Sequence, residues 1–488
     1  MQTYMFLFPP LILFLTAAAV FIGDLVGSKE KKWLPSLALS GSLVSLVTAV
    51  VLLLGGSLRP QAVLGGMLAV DSFTLYFQIF AGLVMVLIII LSRDYLPSRT
   101  AFPGEFYSFL LLAGFAISIL AAAVDLVMVF LTFEMLSITS YILTGYFRDD
   151  PRSSEAAMKY FLYGAMASAV MLYGMSLLYG ITSSTDLLVI AETLPEVGSS
   201  LRSIVYPALV LLMVGFGFKI AAVPFHQWSP DAYEGAPTPV TAFLSVGSIA
   251  AGFAVLIRVL STALPAFQGE WSAVLSAMAL ITMTLGNLVA ISQKNIKRML
   301  AYSGIAQAGY MLIGLVAWDV GLVGESFNGL SSVLVYLLVY LFANLGAFAV
   351  VTAFEQATES NRIEDYSGLM GRSPLLAAAM VVFLLSLTGI PGTGGFIGKL
   401  LIFGSALQKD LYILALVGII NSVIAGFYYL NVIRHMFFQS PSKGLKKIDP
   451  PGMLKTAVIA ACVFTLLLGL YVQPFLDMVR ESLQLLTG

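Results

Sequence analysis

Residues that build redox and metal centres are almost missing from this sequence. It has one cysteine, Cys462, inside an apolar run, which rules out an intrachain disulfide and a cysteine-ligated cluster. Its two histidines, His226 and His435, stand far apart in the chain, so a haem, zinc or copper site built by this chain alone is not expected. No glycine-rich nucleotide fingerprint is present. Charge is scarce as well. Asp, Glu, Lys and Arg make up 10% of residues, against about 25% in soluble domains. Such a chain cannot cover itself with a wetted surface. Its formal net charge of −1 gives no reason to expect a nucleic-acid partner. Its longest loops, Glu355–Ser373 and Gln439–Gly452, are too short for a soluble domain. Any catalytic or redox domain must lie on another polypeptide.

Apolar residues fill the space that charge leaves. They are 59% of the 488 residues, and mean hydropathy is +0.95. A membrane span needs roughly 20 apolar residues. About fourteen segments qualify, numbered here spans 1 to 14: Met5–Leu25, Trp33–Leu54, Leu68–Leu91, Glu105–Ala123, Asp125–Tyr146, Glu155–Gly180, Ile204–Val223, Pro237–Leu260, Trp271–Ser292, Ile296–Trp318, Asn328–Phe354, Pro374–Leu407, Leu411–Phe437 and Met453–Phe475. The expected fold is therefore an all-α integral membrane protein. The first span has no basic region before it and is followed by Lys29, Lys31 and Lys32, so it reads as a retained helix and not a cleaved signal. Of the 25 Lys and Arg, Lys159, Lys219 and Lys399 lie within spans, and Arg59, Arg202, Arg258, Lys409 and Arg480 fall on one side. The other 17 fall on the opposite side, which the positive-inside rule makes cytoplasmic. Both termini are then expected on the outer face.

Two spans look interrupted. Span 7 runs through Gly215-Phe-Gly-Phe-Lys219 to Pro224, and span 12 contains Thr388-Gly-Ile-Pro391-Gly-Thr-Gly-Gly395 ahead of Lys399. Proline removes a backbone donor and clashes with the preceding turn. Unwound backbone survives at membrane depth only beside protein or water. The interrupted spans lie five apart and run in opposite directions, which predicts an inverted repeat of spans 4–8 and 9–13 with the transport site at the breaks. The expected organisation is a three-helix segment 1–103, a first half 104–262, a second half 263–440 and a closing helix 441–488.

Intramembrane charge marks the candidate site. Glu134 sits mid-span in Phe130-Leu-Thr-Phe-Glu-Met-Leu-Ser137. A charge there costs at least about 2.5–3.5 kcal/mol, so it needs a partner, water or a proton. It is either a proton-carrying group or one half of a fixed ion pair or packing hydrogen bond. Lys219 lies in span 7 and Lys399 in the broken part of span 12. A lysine whose proton affinity moves with a neighbouring charge can take up and release a proton; the other reading is that each caps unwound carbonyls. Lys159, about one turn into span 6, has snorkelling to the inner surface as a second reading. The stretch Pro224-Phe-His-Gln-Trp-Ser-Pro-Asp-Ala-Tyr-Glu-Gly-Ala-Pro-Thr-Pro239 joins spans 7 and 8 with Asp231, Glu234 and His226 and no Lys or Arg. It is either a proton inlet or a rigid turn with Pro237 at the first helical position. His435 reads as interfacial, Cys462 as a core filler, and the 20 Met as packing or lipid-facing residues.

At this loop the sequence resembles a family. His226–Pro239 with Lys219 before it, Met158-Lys-Tyr-Phe-Leu-Tyr-Gly-Ala-Met-Ala-Ser-Ala-Val-Met-Leu-Tyr-Gly174 and Ile296-Lys-Arg-Met-Leu-Ala-Tyr-Ser-Gly-Ile-Ala-Gln-Ala-Gly-Tyr310 are similar to the antiporter-like membrane subunits of respiratory complex I, in their subunit N branch. Related cation/proton antiporter subunits usually read His-x-Trp-Leu-Pro-x-Ala-His-x-x-Ala-Pro where this chain has His226-Gln-Trp-Ser-Pro-Asp-Ala-Tyr-Glu-Gly-Ala-Pro. The resemblance implies proton translocation coupled to electron transfer from NADH, or an equivalent donor, to quinone. It implies roles for Glu134, paired with Lys219, and for Lys159 and Lys399 of the exit half. It also places NAD, FMN, iron–sulfur clusters and quinone on other subunits, makes further membrane-arm subunits the partners, and locates the chain in the cell inner membrane. A cation/proton antiporter and a purely structural spacer are the rival readings. One departure stands out: the family commonly carries a lysine after a serine early in span 8, whereas Ser248 is followed here by Ile249. In the register anchored on Phe253 and Arg258 that central lysine is missing, and Ser245, Ser248, Tyr302 or Asn344 are candidates to hold bridging water.

Overall fold

The structure is a computed structural model that describes residues 2–26, 31–55, 61–97, 99–100, 102–319, 327–440 and 447–484. Lys29, Arg59, Lys443 and Lys446, which enter the charge count above, lie outside the described residues. Apolar runs become helices because lipid offers no hydrogen bonds, so each segment must satisfy its own backbone. The helices run α1 (Phe8–Val26), α2 (Leu34–Leu54), α3 (Ser72–Arg93), α4 (Pro103–Ala122), α5 (Leu126–Thr144), α6 (Pro151–Thr182) and α7 (Leu187–Thr193). They continue as α8 (Ser199–Lys219), α9 (Trp228–Gly235), α10 (Thr238–Phe243), α11 (Ile249–Thr262), α12 (Gln268–Ala290), α13 (Ile296–Val316) and α14 (Gly329–Thr358). The chain closes with α15 (Leu369–Arg372), α16 (Pro374–Thr388), α17 (Gly394–Gln408), α18 (Tyr412–Phe438), α19 (Gly452–Leu470) and α20 (Gln473–Gln484). Among the described residues thirteen helical segments are long and apolar enough to span a membrane. The shorter α16 and α17 together fill span 12, which the sequence marked as broken.

Burial sorts the helices. The apolar windows of Thr238–Thr262 and α14 are wholly buried inside the protein, and that of α13 is 94% buried. Those of α2 and α19 are only 22% and 33% buried. α6, α12 and α18 turn one side outward, where Met166, Ile281 and Phe427 are exposed. The helices α10–α11, α13 and α14 thus form the buried centre of the bundle, with α2 and α19 at its periphery.

Local departures from the sequence reading have physical causes. Span 3 was expected to begin at Leu68. Instead Leu68–Val70 pairs with Gln61–Val63 as a two-stranded hairpin, and α3 starts after Asp71, whose carboxylate accepts from the Thr74 amide at 2.8 Å. α8 stops at Lys219, with Ala221 in the left-handed region at φ 55°, so Lys219 ends a helix where the sequence placed it within one. α9 forms inside the supposed loop. Its Trp228 indole donates to the Phe218 carbonyl at 2.9 Å, pinning α9 to the unwound end of α8. Pro237 precedes α10 as its cap and is not its first residue. α10 and α11 are joined by a π turn, Leu244–Ser248. α16 ends at Gly389, φ 95°, where a Cβ would lie 2.9 Å from the Lys399 side chain.

Arg258, counted among the outer-side charges, is buried in α11. Its guanidinium donates to both Asp71 oxygens at 2.5 and 3.0 Å and to the Ala121 carbonyl. Removing one partner of such a pair strands a buried charge. Asp71→Ala should therefore lower stability by about 3–5 kcal/mol, seen as a lower melting temperature of the assembled complex. Asp71→Leu with Arg258→Met should recover much of that loss. An unchanged melting temperature in Asp71→Ala would mean that Arg258 is solvated.

Candidate functional site

Charged groups inside the bundle fall into three clusters. The first lies where α5 meets the end of α8. Glu134, Ser137 and Tyr141 follow one another at i, i+3 and i+7 on one face of α5. Lys219 is fully buried. Its ammonium donates to the Ser137 hydroxyl at 2.9 Å and lies 4.7 Å from the Phe133 ring centre. Gly252 of α11 leaves room for the lysine stem, since a Cβ there would come within 3.1 Å of it. Glu134 lies within electrostatic reach of Lys219, but its buried Oε1 has no hydrogen-bond partner in the protein. Lys219 therefore rests on a neutral hydroxyl rather than on the carboxylate.

The second cluster joins α6, α9 and α13. Lys159 lies about two turns into α6, not one, because the helix begins at Pro151. Its ammonium meets Asp231 at 2.9 Å and Glu155 at 2.8 Å. Arg298 of α13 meets Asp231 at 2.6 Å and Glu234 at 3.1 Å. The acids that the sequence showed without a basic neighbour thus find their cations on two other helices. Burial pushes the Asp231 carboxyl up, but hydrogen bonds from Lys159 and Arg298 outweigh it and hold the group below the usual carboxylate range. Asp231 stays ionised at neutral pH, and the contacts weaken only as pH falls through that lowered value. Half-buried His226 is pushed down by burial and stays neutral.

The third cluster surrounds Lys399 on α17. Its ammonium donates to the carbonyls of Leu387 and Thr388 at 3.0 and 2.9 Å and lies 4.6 Å from the Tyr310 ring centre. These are the last carbonyls of α16, where the helix dipole is negative. Gln307 donates to the same Leu387 carbonyl at 3.1 Å. The structure thus keeps Lys219 and Lys399 in separate clusters and places each beside a helix break. Ile249 is buried at the start of α11, directly after the π turn. Ser245 of that turn accepts from Asn344 at 2.8 Å, and the Ser248 hydroxyl has no partner.

Sequence reasoning missed a further buried cluster. Glu355, near the end of α14, meets Arg99 at 3.0 Å and accepts from Thr238. Beside them buried Lys297 donates to the Ala236 carbonyl at 2.6 Å. Lys297 and Arg99 counted as inner-loop charges, but the lone carboxylate within the α14 run was a usable signal. His435 lies near the end of α18, 3.2 Å from the Ser367 hydroxyl. Among the described residues no three His, Cys, Asp or Glu side chains gather as a metal-binding group.

Residues 123–425 match the family model described as NADH:quinone oxidoreductase/Mrp antiporter, transmembrane. The chain is 44% identical to NAD(P)H-quinone oxidoreductase subunit 2 of Synechocystis, over 97% of this chain and 92% of that protein. It is 42% identical to NADH-quinone oxidoreductase subunit N of Desulfitobacterium hafniense, over 86% of each. A chain of respiratory complex I from Thermus thermophilus superposes with a TM-score of 0.80 at 31% identity, covering 97% of this chain and all of that one. The chain belongs to the NADH:quinone oxidoreductase/Mrp antiporter membrane family.

The Lys159–Asp231–Arg298 bridge is part-exposed, so solvent screening keeps its contribution to stability small. Asp231→Asn should leave the assembled complex intact and lower its quinone reductase turnover. Unchanged turnover would make the bridge only a strut between helices.

Proposed function

We propose that this chain is a proton-translocating membrane-arm subunit of respiratory complex I, coupling electron transfer from NADH or an equivalent donor to quinone with proton pumping. It contributes to the enzyme NADH:quinone oxidoreductase without a redox centre of its own. Family membership and two subunit relatives above 40% identity support this reading. The composition supports cofactors held elsewhere: with one cysteine and no nucleotide fingerprint, the chain leaves NAD, FMN, iron–sulfur clusters and quinone to other subunits. Its partners are the other antiporter-like and small membrane-arm subunits and the lipid bilayer. Its place is the cell inner (plasma) membrane, with both termini on the outer face. Segment 1–103, halves 104–262 and 263–440 as inverted repeats, and segment 441–488 are its proposed divisions.

The proposed proton carriers are Glu134, Lys159, Lys219 and Lys399. The observation that carries the reading is Lys219, buried at the unwound end of α8 and held by a neutral serine near Glu134, whose buried Oε1 has no hydrogen-bond partner. A fixed structural pair would bring the two charges together. Here the ammonium can exchange its proton while Glu134 gains or loses charge nearby. Lys399 is held by carbonyls, which accept hydrogen bonds but no proton, so its proton passes onward and not to its cradle. A cation/proton antiporter subunit is the alternative. Quinone-reduction activity of the assembled complex separates the two.

Lys219→Ala and Glu134→Ala should each sharply lower proton pumping and coupled quinone reduction, with the complex still assembled. Normal coupled turnover in both removes them from the mechanism. Lys399→Arg keeps the charge but cannot release a proton, because a guanidinium is effectively never deprotonated. The Arg variant should assemble and fail to pump. Pumping at the parent rate would make Lys399 a fixed charge that only caps α16.

A further inference from the structure

The contacts around Lys399 are of two kinds. The carbonyls of Leu387 and Thr388 accept from its ammonium, and the Tyr310 ring stands 4.6 Å away with its face toward the charge. The first contact is fixed by backbone, but the second depends on how one side chain is turned. An aromatic ring attracts a cation with its face and repels it with its edge. Tyr310 therefore helps Lys399 only while its ring is held in this orientation. Two groups hold it. Phe403 of α17 packs edge-on against the ring, with 6.1 Å between centres and 86° between planes. The fully buried Tyr310 hydroxyl is anchored from α12, where Asn287 donates to it at 2.9 Å.

Asn287 is itself fixed. Its amide nitrogen also donates to the Met283 carbonyl at 2.9 Å and lies 3.3 Å from the Asn421 side-chain oxygen. Its own oxygen accepts from Tyr428 at 3.0 Å. Asn421 donates to Thr284, one turn before Asn287, at 3.2 Å. This polar cluster ties α12 to α18, two helices whose other sides face outward at Ile281 and Phe427. Two glycines bring α12 against α13. A Cβ at Gly286 would lie 2.7 Å from the Ala306 amide nitrogen, and one at Gly309 would lie 2.6 Å from that of Met283. Small residues allow such close backbone approach between membrane helices, and here it puts the Asn287 amide within reach of the phenol. Burying these amides and phenols costs desolvation unless each is paired. The cluster pairs them, and through Tyr310 it reaches Lys399.

We propose that Asn287, held by Asn421 and Tyr428, is a positioning residue that clamps the Tyr310 phenol and so keeps the ring face turned to the Lys399 ammonium. This rests on the proposed pumping role of Lys399. Asn287 acts on the lysine through the ring. The face attracts an ammonium and has no comparable attraction for a neutral amine, so the clamp favours the proton-loaded lysine. The titratable groups that face this region are phenols: Tyr310 of α13, Tyr336 of α14, whose ring lies against Gly398, and Tyr428 and Tyr429 of α18. α16 has no titratable side chain, and α19 meets the start of α17 through Thr465 and Leu468. Among the described residues no carboxylate or second cation acts on Lys399. Its charge therefore answers to the carbonyls and to the ring.

The pH profile of pumping tests this. The complex would be reconstituted in liposomes, and pumping followed with a lumenal pH dye during donor-driven reduction of a soluble quinone. Each variant would be compared with the parent at the same pH. Asn287→Leu removes the clamp, and Tyr310→Phe removes the hydroxyl that it holds while keeping the ring. Each should assemble and lose pumping increasingly as pH rises. The alkaline limb of the profile should move toward lower pH by about one unit, the size of one desolvated cation–π contact. The double variant should move no further than either single one, because both break the same contact. A strut between helices predicts a loss that is equal at every pH. That result, or shifts that add in the double variant, overturns the proposal. If Asn287→Leu does not assemble, Tyr310→Phe decides alone, and an unmoved profile there overturns the clamp. Lys399→Ala run in parallel separates the two claims. Parent profiles in Asn287→Leu and Tyr310→Phe with pumping lost in Lys399→Ala reject the clamp alone, whereas full pumping in Lys399→Ala rejects the role of the lysine on which it rests.

Discussion

Holding an ammonium ion inside a lipid-spanning bundle is the constraint on which the rest of the structure depends. Hydrocarbon offers it nothing, so the protein must supply every contact. Lys399 is met by the two carbonyls that α16 frees where it breaks, with the face of Tyr310 beside it. Lys219 is met by one serine hydroxyl and the ring of Phe133. The Lys399 arrangement requires an interrupted helix, which Gly389 at positive φ allows, whereas Lys219 closes α8 just ahead of Ala221, also at positive φ. The breaks, the glycines and the aromatic lids are consequences of placing a cation at depth.

The two lysines are not solvated alike, and the difference bears on mechanism. Carbonyls bind an ammonium but cannot themselves take its proton. A hydroxyl both donates and accepts, so Ser137 holds Lys219 and lies within hydrogen-bond reach of Tyr141 as well. Ion pairs of ordinary kind appear elsewhere. Lys159, Asp231 and Arg298 form a half-exposed bridge at one end of the bundle, and Arg258 with Asp71 forms a buried one. The strongest pairings thus lie outside the axis that carries the two isolated lysines.

Much of this was legible in advance because membrane helices are written in long apolar runs with charge excluded. The spans and the break before Lys399 follow from long apolar runs, and charge that has no reason to sit in lipid singled out Glu134, Lys159 and Lys219 as candidates. The π turn at Leu244–Ser248 was not legible, since its residues are as apolar as their neighbours and the extra residue per turn leaves no compositional trace. α9 was hidden too. Eight residues with Pro230 and Gly235 look like a turn, and what makes them helical is Trp228 reaching the Phe218 carbonyl and stacking on Tyr160 at 4.2 Å.

By itself the sequence determined that this is a multi-spanning membrane protein, where its spans lie, which of them break and which few charges enter the bilayer. Those properties are local, set by the cost of exposing backbone or charge to hydrocarbon. Only the tertiary structure decided which groups meet: that Lys219 rests on Ser137 and not on Glu134, that Asp231 is shared by Lys159 and Arg298, and that Arg258 and Glu355 are buried. Such pairings join residues tens to hundreds of positions apart. They are fixed by how the helices pack, which no single segment encodes.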